Sequence, residues 1–297
     1  MTAPISRNAV NDMTTLVLPY PRLSEGRFSS VHAFTDETLF EQCQVRIAFT
    51  CRDGGVSSGP FSSLNVGDHV QDDPCCVAEN RRRIMQAFMP EPMHTSKLIC
   101  PVQVHGKHVE VCVGRDDIER TLSVCRGGAD GVVACGLEIP VLLCFADCVP
   151  VIMVAPTRDI AVVHAGWRGV VNEICAEALM KLTTSAHCVA SECNIYIGPF
   201  IHANHFEIAG EALDAFHNVF GSSCFVDERH VDMACALRMT FDRIGVDPKR
   251  VCDLDMCTVD NQDLFYSYRG AKGICGRHAA FAVSLQQEVN DEFRTTL

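Results

Sequence analysis

The sequence predicts a single α/β domain built around a mixed β-sheet. Three observations predict it. The runs PVLLCFADCVPVIMVAP (140–156) and IAVVHAG (160–166) are continuously apolar, as in strands covered on both faces. Segments with apolar residues at helical spacing stand among the strands. No Pro-, Gly- or Ser-rich linker separates them, so strands and helices belong to one body. With 297 residues, 47% of them hydrophobic, the chain has material for a large core.

Residues 1–43 are poorly patterned, with Pro19 and Pro21 among scattered polar residues. They read as a partly ordered N-terminal extension that covers a pocket or mediates homo-oligomerisation, with the domain proper spanning 44–297. The strand VRIAFTC then leads into a glycine-rich loop over Asp53–Gly59 and a helix over about 73–88, striped by Val77, Ile84, Ala87 and Phe88. LICPVQVH, VEVCVG and VVAC are the next strand candidates, followed by the two apolar runs. After Gly169, the positions Val171, Ile174, Cys175, Ala178, Leu179 and Leu182 mark a helix with one buried face. Strand CNIYIG, a helix over 206–220 and another over 231–244 come next. VCDLDMCT, DLFYSYR and GRHAAFAVSL close the chain as strands.

Composition narrows the functions. Net charge is −12, which disfavours binding to phosphate backbones, so no nucleic-acid partner is expected. The N-terminus lacks the apolar core of a secretory signal, and no apolar run reaches the ~20 residues a bilayer needs. A soluble, cytoplasmic protein with no membrane partner is expected. In that setting the 18 cysteines read as reduced thiols, most of them small apolar core residues. No CxxC pair occurs, which excludes a zinc ribbon.

Three residues end apolar strands: His105 in PVQVHGKHV, Cys148 in CFADCVPV and His164 in AVVHAGWRG. A polar group at such a place needs a partner. Two imidazoles and a thiolate suit a catalytic zinc with its fourth position open. The spacing leaves alternatives open. Cys148 is equally a candidate nucleophile, with His164 or His105 as base and Asp147 orienting the imidazole. Copper also accepts His and Cys ligands, although no HxH pattern occurs as a multicopper oxidase needs. Three ordinary strand-end residues satisfied by backbone hydrogen bonds are the plain alternative.

Several motifs together resemble one family. CRDGGVSSGPFSSLNVGDHVQDDPCCVAENR (51–81), QVHG (103–106), ADG (129–131), ADCVPV (146–151), HAGWRG (164–169), IGPFIHANHFEI (197–208) and CTVDNQDLFYSYRG (257–270) occur in its order. This is the YfiH-like, or laccase-domain, purine nucleoside phosphorylase family. The resemblance implies a one-domain layered α/β sandwich, and zinc bound by His105, Cys148 and His164. It also implies phosphorolysis of adenosine, inosine and methylthioadenosine, with inorganic phosphate as second substrate and adenosine deamination as a side activity. Some members are linked instead to peptidoglycan-precursor editing, so a cysteine hydrolase or amidase is the alternative enzyme. A non-catalytic zinc-stabilised binding module is the alternative from another class. Cys51 and His202 depart from the family's usual residues.

Phosphorolysis needs guanidinium groups for phosphate. Arg52 and Arg269 are the candidates, with Arg168 behind them. Asn65 is a candidate ribose or base contact, and Glu207 a candidate proton donor to the purine. Asp130 and Asp147 are candidate acid–base or orienting groups. Trp167 is expected to pack in the core and position His164.

Overall fold

The computed structural model describes residues 16–90 and 96–286. Two sheets lie face to face. The first has the order β1 (Ser24–Phe28), β2 (Val31–Thr35), β3 (Val45–Thr50), β11 (His278–Ser284), β6 (Val141–Phe145), and all its pairings are antiparallel. The second has the order β10 (Val251–Asp253), β9 (Asn194–Ile197), β7 (Val149–Val154), β8 (Ile160–Ala165), β5 (Gly131–Cys135), β4 (Val109–Val113). It is antiparallel in its middle and parallel at both outer pairs, β10–β9 and β4–β5. The expected sandwich is present, with two sheets in place of one.

Period-2 alternation explains why the strand sequences are apolar throughout. Val45, Ile47 and Phe49 of β3 face Ile152, Val154, Val162 and Tyr196 of the other sheet. Ala48 points the opposite way, into a cluster with Ile84, Met85 and Phe88 of α2 (Pro74–Phe88). In the second sheet, Val149, Val151 and Met153 face outward onto α5 (Ile174–Ala186), α6 (Glu211–Phe220) and α7 (Met233–Arg243). Each sheet is therefore buried on both sides. The stripe read for α5 is its buried face, except that Val171 ends the short α4 (Trp167–Val171). Glu173, at φ 59°, turns the backbone between the two helices.

Residues 16–43 differ from the extension expected of 1–43. From Ser24 onward they supply β1, β2 and α1 (Glu37–Cys43), and β2 pairs directly with β3. Asp36 caps α1 through Leu39 N–H and accepts Tyr196 Oη from the second sheet at 2.8 Å. Leu16 N–H bonds Pro156 O, and Asn194 Nδ2 bonds Pro19 O. SEGRF has no apolar alternation and ETLFEQC spans only about two helical turns, so neither stands out. Residues 1–15 lie outside the described residues.

Three strand expectations also fail. LICPVQVH makes one bridge, Ile99 to Val141, and is otherwise irregular. DLFYSYR is a series of turns, and VCDLDMCT is strand only over Val251–Asp253. The helix expected over 206–220 begins at Glu211. Among the described residues, no helix is long and apolar enough to cross a membrane. All 18 cysteines are free thiols.

His278 opens β11 fully buried, 5.5 Å from the Phe265 ring and 6.4 Å from that of Phe145, and neither ring nitrogen has a hydrogen-bond partner. Burial, reinforced by Arg277 and Arg52, pushes its pKa down to about 3. An unfolded chain takes up that proton near pH 6.5. Stability from this residue is thus complete above about pH 6.5 and is lost as pH falls toward 3, by about 1.4 kcal/mol per pH unit. His278→Phe should flatten the pH dependence of the urea midpoint between pH 6.5 and 4. An unchanged slope would show that the imidazole is not held neutral.

Candidate active site

His105, Cys148 and His164 come from three separate stretches of chain. His105 follows the irregular segment after Ile99, which is pinned where Gln103 pairs through its side-chain amide with both N–H and C=O of Cys144. Cys148 sits in the turn between β6 and β7, and His164 lies near the end of β8. Their donor atoms all lie within 4.8 Å of one another. The two imidazole rings meet edge to face, with centroids 4.7 Å apart.

Asp130 organises this convergence. It is fully buried at the start of β5. Its Oδ1 accepts His105 N–H at 2.9 Å and His164 Nδ1 at 2.8 Å, and its Oδ2 accepts Gly106 N–H at 2.7 Å. His105 has φ 56°, a left-handed conformation unusual for a residue with a side chain, and these bonds hold it there. With Nδ1 of His164 taken, Nε2 is the nitrogen free for an ion or a thiol.

The electrostatics match a thiolate site. Burial pushes the Cys148 thiol up, but the His164 charge and hydrogen bonds from both histidines bring it down to about 6. Burial likewise depresses His164, while the Cys148 thiolate and Asp130 raise it to about 9. A sulfur already disposed to ionise, beside two imidazoles, fits a borderline-soft ion such as zinc. Gly166 leaves the cluster room. A Cβ there would stand 3.2 Å from His105 Cδ2 and 3.4 Å from Cys148 Sγ.

The cluster forms one wall of a cavity of about 480 Å³. Trp167, Ile201, Phe206, Met233 and Tyr268 supply apolar surface, Arg269 and Arg277 supply cationic groups, and His69 adds an imidazole. Asp147 also lines it, at φ 88°, but Thr258 Oγ1 donates to its Oδ1 and Arg269 N–H to its Oδ2, each at 2.6 Å. That carboxylate is engaged in holding the Arg269 segment.

The remaining sequence candidates lie outside the cavity lining. Arg52 bonds the carbonyls of Ser62 and Gln262 and stacks on Tyr266. Asn65 is fully buried, but its Oδ1 accepts Arg277 N–H at 2.8 Å, so it acts behind a cavity residue. Glu207 pairs with Arg229 at 2.9 Å, and Arg168 with Glu211 at 3.1 Å. Arg277, Tyr268 and His69 were not singled out from the sequence. Each lies in or beside a segment already conspicuous: GRH before β11, YSYRG and NVGDHV.

The sequence matches the family described as multi-copper polyphenol oxidoreductase laccase over residues 46–285. The chain belongs to this family. Among its relatives, "Purine nucleoside phosphorylase YlmD" of Geobacillus stearothermophilus is 30% identical over 242 residues, covering 78% of this chain and 87% of the relative. "Purine nucleoside phosphorylase YfiH" of Escherichia coli K12 is 32% identical over 244 residues, covering 80% and 93%. The crystal structure of YlmD from Geobacillus stearothermophilus superposes with a TM-score of 0.73 at 28% identity, over 82% of this chain and 92% of that one. The family fold is therefore the sandwich described above.

Proposed function

We propose that this chain is a zinc-dependent purine nucleoside phosphorylase. It would convert adenosine, inosine or methylthioadenosine and phosphate to the base and the sugar 1-phosphate, with adenosine deamination as a side activity in the cytoplasm. The names of its relatives support the reaction class. The observation that carries the reading is a cavity joining three chemistries. It has a His₂Cys donor set on one wall, the guanidinium side chains of Arg269 and Arg277 on another, and the rings of Trp167, Phe206 and Tyr268 around them. Its volume falls within the roughly 300–1,000 Å³ usual for small-molecule sites.

His105, Cys148 and His164 would hold the ion, which when bound supplies a Lewis acid at a coordinated oxygen or nitrogen. The chain's own groups do the rest. Arg277 donates Nη1 to the carbonyls of Cys275 and Gly276, which fixes its fork at the cavity wall. Arg269 is fixed by Asp147 and by its Nη1 bond to His205 O. Two immobilised guanidinium groups suit a phosphate dianion and hold it for attack on the ribose carbon. The aromatic walls offer a flat purine its stacking surface and keep water from the oxocarbenium-like sugar. Glu207, paired off the cavity, is not the proton donor in this reading. Three ligands beside an open cavity also fit a catalytic ion better than the closed site of a zinc-stabilised binding module. A mononuclear donor set does not match multicopper oxidase chemistry.

The test is chromatography of adenosine and inosine incubated with and without phosphate. Free base and ribose 1-phosphate should appear together, and only with phosphate. Base release indifferent to phosphate would remove phosphorolysis. Chelation should abolish turnover, and Zn²⁺ should restore it.

One observation favours a second reading. Cys148, His164 and Asp130 also form a thiol–imidazole–carboxylate chain with an acidified thiol, as in a cysteine amidase acting on peptidoglycan precursors. Activity that survives chelation but not alkylation would select it.

A further inference from the structure

Beyond His105–Cys148–His164, two other trios among the described residues have donor atoms within 4.8 Å of one another: His32, Cys51 and Asp53, and His205, Cys257 and Asp260. The first is already satisfied internally. His32 bonds Asp53 through Nδ1 at 3.0 Å and Glu25 through Nε2 at 2.6 Å. Asp53 also takes Arg27 at 2.8 Å, and burial drives the Cys51 thiol far from ionisation.

The second trio is differently placed. His205 Nε2 faces Asp260 Oδ1 at 2.6 Å. The carboxylate's other neighbours are the Asn204 amide at 3.5 Å and the Cys257 sulfur. Among the described residues, no Lys or Arg pairs with Asp260. Cys257 is almost fully buried and accepts His202 N–H at 3.4 Å, so its sulfur is fixed in place. His205 and Asp260 are partly exposed, which opens the trio to solvent on one side. Imidazole, thiol and carboxylate are the three protein ligand types that zinc accepts.

We propose that His205, Cys257 and Asp260 form a second transition-metal site, for Zn²⁺ or a similar borderline divalent ion. Thiolate and carboxylate together balance the charge of a dication, with the imidazole neutral. Binding releases the Cys257 proton to solvent. Tetrahedral coordination places such donors about 3.3–3.6 Å apart. The His205–Asp260 contact therefore opens by about 0.7 Å, within reach of two partly exposed side chains. One position remains for water. An ion here ties the IHANHFE segment to the turn at Cys257–Asp260. Phe206 of that segment lines the cavity, and Arg269 grips His205 O at 2.7 Å, so occupancy steadies two of its walls.

Neither ligand set needs the other, and Co²⁺ tells them apart. Cobalt-loaded Cys148→Ser protein should keep a thiolate-to-metal charge-transfer band in the near ultraviolet. Adding Cys257→Ser should abolish it, and adding the partly exposed Asp260→Asn or His205→Ala should weaken cobalt affinity at least ~10-fold. The exposed variants keep the test valid if Cys257→Ser misfolds. No band in Cys148→Ser, a band that persists without Cys257, or unchanged affinity in both exposed variants would overturn the second site. Cys257→Ser alone should retain the Cys148 band. Loss of the band there, with the Cys148→Ser band intact, would count against the cavity ligand set and leave the second site standing.

Discussion

Cys148→Ala should strip the ion from the cavity and lower phosphorolysis by at least ~10³-fold, equivalent to about 4 kcal/mol of transition-state stabilisation. The sulfur is the anionic member of the set. Without it, two imidazoles remain to hold a dication, and the strongest Zn–ligand interaction is gone. The fold should survive, because Cys148 sits in a turn and its removal deletes one atom at the edge of a cavity. Metal analysis, nucleoside turnover and a urea unfolding curve on one preparation separate these effects. Full metal content in the variant would refute the ligand assignment. Near-normal turnover would refute the chemistry built on it.

Asp130→Asn should have the second-largest effect, and on a different quantity. The carboxylate accepts N–H groups from His105, Gly106 and His164 in a site without water access. An amide nitrogen in place of one oxygen turns a donor toward donors. Breaking one partner out of a buried charged network costs about 3–5 kcal/mol. Loss of the group that orients a ligand histidine lowers metal affinity about 10–100-fold. The urea midpoint and a chelator competition titration measure the two losses. A variant as stable as the parent, with the same affinity, would mean that Asp130 is a bystander.

Much of this arrangement was legible in the chain. His105, Cys148 and His164 stood out because a strand that buries both faces and then ends in a polar residue is delivering that residue somewhere. Asp130 was legible as an acid–base or orienting candidate in ADG, but not as the acceptor of backbone N–H groups 24 and 25 residues away. Arg52 and Asn65 misled for a physical reason. Arg52, sought as a phosphate donor, and Asn65, sought as a ribose or base contact, are instead spent internally on Ser62 O, Gly67 and Asp72. Arg277 was missed because it looks like the polar lead-in to an apolar strand, and only tertiary contact with Asn65 turns it toward the cavity. LICPVQVH has the composition of a strand, but the Gln103 amide satisfies the Cys144 backbone in place of a neighbouring ladder. β1 and α1 were hidden because SEGRF is almost wholly polar and ETLFEQC spans only about two helical turns.

The position of β11 has a consequence during synthesis. It lies between β3 and β6 and completes the first sheet, although it is translated more than 130 residues after β6. Until it leaves the ribosome, the nascent chain carries two bare strand edges, VRIAFT and the wholly apolar VLLCF, without the strand that pairs them. Such edges recruit other chains. Ribosomes stalled before His278 should therefore release aggregating or chaperone-bound product, and the cavity should gain its ligands only after the polypeptide is nearly finished.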